Sequence, residues 1–283
     1  MASQDLGTYA SNTWCPGCGD FAILNSIKAV LKALREEGTA LENVVLISGI
    51  GCHAKIVDYI NVNSFYSIHG RVVPVAEGIK LANPKLKVIG FAGDGDAYGE
   101  GMEHLVFAAK RNIDITIIIH NNRVYGLTTG QYTPTSPLGF KGRSTPRGNL
   151  EMPINPLELM LASGATFLAR GFSHRIEQLK QLFKEAINHK GFALIDVLQV
   201  CVTFYNMYQY YDKRVYELAQ HNAGDYSEAL KKIREWNYHN DASIALGVFY
   251  NKQAPTFDEK AGVFKKDAVD VNSNIEKILS GAR

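Results

Sequence analysis

Along the chain the spacing of hydrophobic positions changes from helical to strand-like and back. From Phe21 to Glu37 the apolar residues Ile23, Ile27, Val30, Leu31 and Leu34 recur at three- and four-residue intervals, which predicts a helix with one buried face, stopped by Gly38. "NVVLISGIG" (Asn43 to Gly51) is instead a continuous apolar run closing on glycines, the pattern of a strand buried on both faces of a parallel sheet. The same grammar returns in "LKVIGFAGDG" (Leu86 to Gly95), "DITIIIHNN" (Asp114 to Asn122) and "FALIDVLQVC" (Phe192 to Cys201). Helical stretches are expected over Glu100 to Asn112, Asn155 to Gly164 and Ser173 to Gly191, the last with a serine to cap its start and a glycine at its end. Such alternation predicts an α/β fold, a mostly parallel sheet with helices on both faces.

The pattern breaks in two places. "TGQYTPTSPLGFKGRSTPRGN" (Thr129 to Asn149) is rich in Thr, Pro and Gly and too polar for a core, and loops of that length are usually functional or disordered. From Phe204 the periodicity weakens and aromatics crowd, as in "FYNMYQYY", with no second set of strands visible. The chain therefore reads as one α/β domain over residues 1–203 and a C-terminal arm over 204–283, whose aromatics serve packing or a subunit contact.

Composition narrows the class of protein. With 283 residues, 46% of them hydrophobic, the chain can bury a full core and is not disordered. A formal charge of +2, with Lys and Arg dispersed, gives no ground for nucleic-acid or membrane-surface binding. No apolar run is long enough to span a bilayer, and "MASQDLGTYASNTW" lacks the basic and apolar parts of a signal peptide, so a cytoplasmic location is expected. In that reducing compartment the four cysteines, Cys15, Cys18, Cys52 and Cys201, are expected to hold a metal or do chemistry rather than form disulfides.

Candidate chemistry gathers at the strand ends, where open α/β sheets bind ligands. "GIGCH" follows the first strand, "GDGDAYGEG" the second and "HNNRVYGLTTGQ" the third. Gly93 and Gly95 let backbone approach a ligand, Asp94 offers a hard anionic oxygen, and the helix start beyond supplies N–H groups for phosphate. A magnesium ion takes few protein oxygens and leaves its other positions to water and phosphate, which one carboxylate, one amide oxygen and one carbonyl would satisfy. Apart, GDG is an ordinary turn and NN an ordinary strand end. Paired, each after a hydrophobic strand, they resemble the diphosphate-binding motif of thiamine diphosphate enzymes. Four thiolates suit zinc or an iron–sulfur cluster equally, and spacing alone does not decide between them.

Taken together, "WCPGCG", "GIGCH" with Lys55 following, "HGR" at His69 to Arg71, "GDGDAYGEG" and "NNRVYGLTTGQ" resemble, in order and over roughly Trp14 to Tyr205, the beta subunit of 2-oxoacid:ferredoxin oxidoreductases. The resemblance implies a thiamine diphosphate-binding fold and reversible conversion of a 2-oxoacid, such as pyruvate, and coenzyme A to acyl-CoA, carbon dioxide and two electrons for ferredoxin. It further implies a 4Fe-4S cluster on Cys15, Cys18, Cys52 and Cys201, and Mg on Asp94, Asn122 and the Val124 carbonyl. Gly95 and Asp96 would hold the diphosphate, and Ile50, Gly51, Cys52, His53, His69, Gly93, Gly126 and Leu127 would line the cofactor. His53, His69 and Lys55 are candidate catalytic residues. Against that stand histidines merely satisfied at a domain edge and a lysine merely solvated, instead of one facing the substrate carboxylate. No motif supplies the carboxylate that the aminopyrimidine ring of thiamine needs. In the family it comes from the alpha (or fused gamma-alpha) subunit, so this chain is expected to be inactive alone. Thr129 stands where some family members have lysine, which implies a lean toward monocarboxylic 2-oxoacids unless Lys55, Arg123 or the partner supplies a cation. The rivals are a non-oxidative thiamine decarboxylase or carboligase, which needs no cluster, and a zinc-stabilised α/β interaction protein, for which the strand-end motifs would be accidental.

Overall fold

The computed structural model describes residues 6–262 together with 280 and 281. Helix α1 (Asp20–Glu36) forms where the apolar spacing predicts it, and Gly38 at φ +98° turns the chain away. Strand β1 (Val44–Ser48), a 3-10 segment (His53–Tyr59), strand β2 (Asn63–Tyr66), helix α2 (Val72–Ala82) and strand β3 (Lys87–Gly93) follow. A π-helical turn (Gly95–Glu100) leads into α3 (Met102–Arg111) and β4 (Thr116–Asn121). Beyond the long loop come α4 (Pro156–Ala162), β5 (Phe167–Phe172), α5 (Ile176–Asn188) and β6 (Ala193–Leu198). The chain continues through α6 (Tyr208–Asp212), β7 (Val215–Glu217), α7 (Tyr226–Arg234), β8 (Ile244–Asn251) and α8 (Phe257–Ala261).

These strands form one sheet in the order β2-β1-β3-β4-β6-β5-β8-β7, with every pairing parallel except β5 against β8. Because successive side chains of a strand point to opposite faces, each strand feeds two cores. Leu46, Phe91, Ile118 and Ile195 pack with α1 and α5 on one side. Ile47, Ala92, Ile117 and Leu194 pack with α2, α3, α4 and α7 on the other. Continuous apolar runs were the right signal for such strands, since neither face meets water.

Several elements differ from the sequence expectation. The segment after Phe204 is no strandless arm: β7 and β8 extend the main sheet, and residues 263–279, 282 and 283 of the expected arm lie outside the described residues. Strand β5 was hidden by Arg170 in its middle. That side chain is fully buried, with its guanidinium 5.1–5.3 Å from the ring centres of Trp236, Tyr238 and Phe249, so aromatic faces from the C-terminal segment take the place of solvent. Ser173 does not cap α5; the helix begins at Ile176 with Arg175 as its N-cap residue and no side-chain cap. Among the described residues no helix is long and apolar enough to cross a membrane.

Candidate active site

Strands β2 and β3 lie on opposite sides of β1, so the order of the sheet reverses there and a crevice opens beyond the strand ends. The loops after β1, β2, β3 and β4 wall a cleft of about 70 Å³, lined by Ile50, Gly51, Cys52, His53, His69, Gly93, Asp94, Gly95, Asp96, Asn122, Val124, Gly126 and Leu127, with Tyr125 and Thr128. The fold thus brings together every residue expected to touch the cofactor or Mg. A larger cleft, about 290 Å³, opens at the opposite ends of β3 and β4. There Lys80 pairs with Asp114 at 2.6 Å and Lys87 bonds Asn188, so its polar groups largely satisfy one another.

Asp94 is buried, and Thr133 Oγ1 and Thr135 Oγ1 reach its Oδ2 at 2.6 and 2.8 Å. Both contacts fall on one oxygen, which leaves Oδ1 for a cation. Burial pushes this carboxyl up to about 6, opposed by the two hydroxyls, so it lacks a positive partner. The Thr- and Pro-rich loop is therefore not the uniformly polar surface its composition implied. Thr133, Thr135 and Ser136 are buried because each hydroxyl has a partner. Thr135 shares its proton with Asn121 Oδ1 at 3.0 Å, and Asn121 Nδ2 donates to the buried Asp196 at 2.9 Å. Asp196 also accepts from Tyr98 and from Tyr238, so the C-terminal segment helps fix the base of the Asp94 site.

Asn122 closes β4 with a local turn: its Oδ1 accepts from Val124 N at 3.1 Å, and Arg123 adopts φ +63°. The Asn122 amide nitrogen donates to Gln199 Oε1 at 2.8 Å. Gly95 has to lack a side chain, since a Cβ there would lie 2.1 Å from the Tyr125 ring, whose hydroxyl bonds the Gly95 carbonyl. The π-helical winding after Asp94 agrees with the tendency of such turns to occur at functional sites.

The Asp96 carboxylate is occupied within the protein. It lies 3.2 Å from His53 Nε2 and 3.3 Å from His69 Nδ1, and Gly70 N donates to it. The His contacts are close but badly angled, leaving both nitrogens and Asp96 Oδ2 without a hydrogen bond. Asp96 thus lies between the two imidazoles, with its Oδ1 held by Gly70 N. His53 Nδ1 faces Gly51 and Gly93, where an added Cβ would meet it at 3.0 and 2.8 Å.

Around the outer wall stand the cysteines. A turn closes Cys15 to Cys18, Trp14 Nε1 donates to the Cys52 carbonyl at 2.7 Å, and Gly19 N bonds the Val200 carbonyl beside Cys201. All four thiols lie within electrostatic reach of one another through the pairs Cys52 with Cys201 and Cys15, and Cys18 with Cys201. Burial, then the charge of Asp20, raises Cys18 and Cys52, the latter to about 11, and burial raises Cys201. Such thiols ionise when a metal supplies the opposing charge. Among the described residues no group of three or more His, Cys, Asp or Glu is gathered closely enough to hold a single metal ion.

Three cations resolve differently from expectation. Lys55 does not line the cleft; its Nζ donates to Thr13 at 2.7 Å, and its charge lowers Cys52 slightly against the stronger raising effects. Arg123 is buried and turned away, bonding the Thr135 and Tyr238 carbonyls with its guanidinium among Tyr205, Trp236 and Tyr238. Arg143, which sequence reasoning passed over, donates to Thr129 Oγ1. A cation therefore stands beside Thr129 although residue 129 itself carries none, and no local pattern in the loop announced it.

The strand order, the crevice at its reversal and the cradle of glycines, Asp94 and Asn122 define a thiamine diphosphate-binding fold. A family model described as the C-terminal TPP binding domain of thiamine pyrophosphate enzymes matches residues 49–197, and one described as the C-terminal part of the pyruvate ferredoxin oxidoreductase beta subunit matches residues 201–266. Subunit beta of 2-oxoacid:ferredoxin oxidoreductase 1 from Aeropyrum pernix is 45% identical over 278 residues, covering 92% of this chain and 85% of the relative. The corresponding subunit from Saccharolobus solfataricus is 44% identical, covering 88% and 85%. A solved 2-oxoglutarate:ferredoxin oxidoreductase from Magnetococcus marinus, with 2-oxoglutarate, coenzyme A and succinyl-CoA bound, superposes with a TM-score of 0.88 at 32% identity over 98% of this chain and 95% of that one. The chain belongs to the family of 2-oxoacid:ferredoxin oxidoreductase beta subunits.

Proposed function

We propose that this chain carries thiamine diphosphate, Mg and a 4Fe-4S cluster in an enzyme that cleaves a 2-oxoacid to carbon dioxide and passes its acyl group to coenzyme A. The two electrons of the broken carbon–carbon bond leave one at a time through the cluster to ferredoxin, and the thiol proton is released. The observation that carries this reading is a shared wall. Cys52 lines the cleft, and a Cβ at Gly126, also in its wall, would lie 3.6 Å from Cys52 Sγ and 3.9 Å from Cys201 Sγ. Only bare backbone separates the cofactor's place from two of the four thiols, which makes a short exit for electrons.

When bound, thiamine diphosphate supplies the electron sink for decarboxylation. Asp94, Asn122 and the Val124 carbonyl suit Mg, whose remaining positions go to diphosphate and water. His53 and His69, oriented by Asp96, offer their remaining ring nitrogens to the cofactor, and Gly93 and Gly95 let it come close. Neither carboxylate of the cleft is left for the aminopyrimidine ring, because Asp94 faces the metal and Asp96 the histidines. The partner, an alpha or fused gamma-alpha subunit, provides that carboxylate. Its seat is the outer edge of the sheet, where all four residues of β2 are exposed and Phe65, Tyr66 and Ile68 are uncovered, with Ile50 and Leu127 exposed on the cleft.

A non-oxidative thiamine enzyme would have no use for the cysteine wall. Iron and acid-labile sulfide analysis of the anaerobically purified protein tests the reading directly. Both should be present, and Cys52→Ser should lose most of the iron and the visible absorption. Full iron retention in that variant would remove Cys52 from the ligand set.

A further inference from the structure

Gln199 sits just beyond β6, fully buried, between the Asp94–Asn122 corner of the cleft and the cysteine wall. Its Oε1 accepts from Asn122 Nδ2 at 2.8 Å. Its Nε2 donates to the Val200 carbonyl at 2.9 Å and to Cys18 Sγ at 3.4 Å. The carbonyl of Val200 can only accept, so the nitrogen of the Gln199 amide must face it and the oxygen must face Asn122. That in turn obliges Asn122 to present its own nitrogen to Gln199 and its oxygen to the other side, where it meets Val124 N. One backbone carbonyl thereby sets the orientation of two amides in series. Gly19 makes room for the arrangement, since a Cβ there would lie 2.8 Å from Val200 N and 3.1 Å from Gln199 Cγ.

We infer that Gln199 is a positioning residue that couples the two cofactor sites, holding the Asn122 oxygen toward Mg while donating an N–H to the Cys18 sulfur and so raising the reduction potential of the cluster. The inference rests on the cofactor assignment proposed above. A hydrogen bond to a ligand sulfur stabilises the more negative, reduced cluster more than the oxidised one, which is how proteins move cluster potentials upward. No other side-chain nitrogen is placed against Cys18 among the described hydrogen bonds, where Asp20 Oδ2 is the second neighbour at 3.4 Å. Gln199 therefore offsets an unfavourable carboxylate and holds the metal ligand with the same amide.

Two substitutions separate the two arms. Gln199→Leu removes both contacts without adding charge, whereas Gln199→Glu keeps an oxygen for Asn122 and replaces the donor to Cys18 and Val200 by an acceptor, so its potential should fall at least as far. In the assembled complex, EPR-monitored redox titration should show the reduction equilibrium of the cluster falling by about tenfold in both variants, roughly 59 mV for a one-electron couple. Calorimetry with thiamine diphosphate and Mg should show affinity reduced by about tenfold for Gln199→Leu, and little changed for Gln199→Glu. An unaltered potential in both variants overturns the donor role, and unaltered cofactor affinity in Gln199→Leu overturns the coupling. A parent protein without any reducible cluster would instead overturn the cofactor assignment, so the two failures are distinguishable.

Discussion

At the scale of residues, the site is built from polar groups whose partners were chosen in advance of any ligand. Asp94 exemplifies this: its Oδ2 is satisfied by Thr133 and Thr135, and burial without a cation leaves its carboxyl near 6. A divalent ion bound there, as proposed, would remove that mismatch, and part of its affinity would be relief of a buried carboxylate. Thr135→Val keeps the shape and removes the shared proton between Asp94 and Asn121. It should destabilise the protein by about 1–3 kcal/mol and weaken binding of Mg with thiamine diphosphate by about 10-fold, with iron content unchanged. Asp94→Ala should weaken binding further. Calorimetric titration of the assembled complex against metal analysis checks both, and equal affinity in Thr135→Val would mean that the hydroxyl only fills space.

At the scale of elements, what was legible followed burial. β1, β3, β4 and β6 were visible as apolar runs because both of their faces are covered, and their glycine- and asparagine-rich ends pointed to the cleft. β5 was missed although both of its faces are covered, because Arg170 interrupts its apolar run, and the aromatic cushion that makes it tolerable comes from Trp236, Tyr238 and Phe249, far away in sequence. β2 was invisible because its four residues are exposed in this chain. Likewise the roles of Asp96 and Gln199 needed coordinates, since each depends on partners brought together by the sheet. The π turn after Asp94 yields a prediction at this level. Gly95→Ala would press a methyl group against the Tyr125 ring, so thiamine diphosphate affinity should drop at least about 10-fold; because the two residues share one contact, removing the ring in Gly95→Ala/Tyr125→Ala should restore part of it. Purely additive losses in the double variant would show that Gly95 acts through its backbone alone.

At the scale of the whole molecule, the sheet has two very different ends. One is closed by β8 and β7, whose segment packs Tyr238 against Asp196 and Arg123 and so braces the strand-end loops from behind. The other ends in β2, where an open edge and apolar side chains border the cleft, and an exposed strand edge of this kind invites pairing or cover. If, as proposed, Asp94 faces Mg and Asp96 the histidines, no carboxylate of the described cleft is left to ionise thiamine. The isolated chain should therefore retain its iron and show no 2-oxoacid oxidation, and activity should appear on adding the alpha or fused gamma-alpha subunit. Hydrogen exchange locates the contact independently of turnover. On assembly, amides of Asn63–Tyr66 and of the loop through Ile68 should gain protection, while those of Val215–Glu217 at the far edge should not. Protection confined to the far edge would place the partner on the C-terminal segment and return the sequence expectation of a subunit contact there.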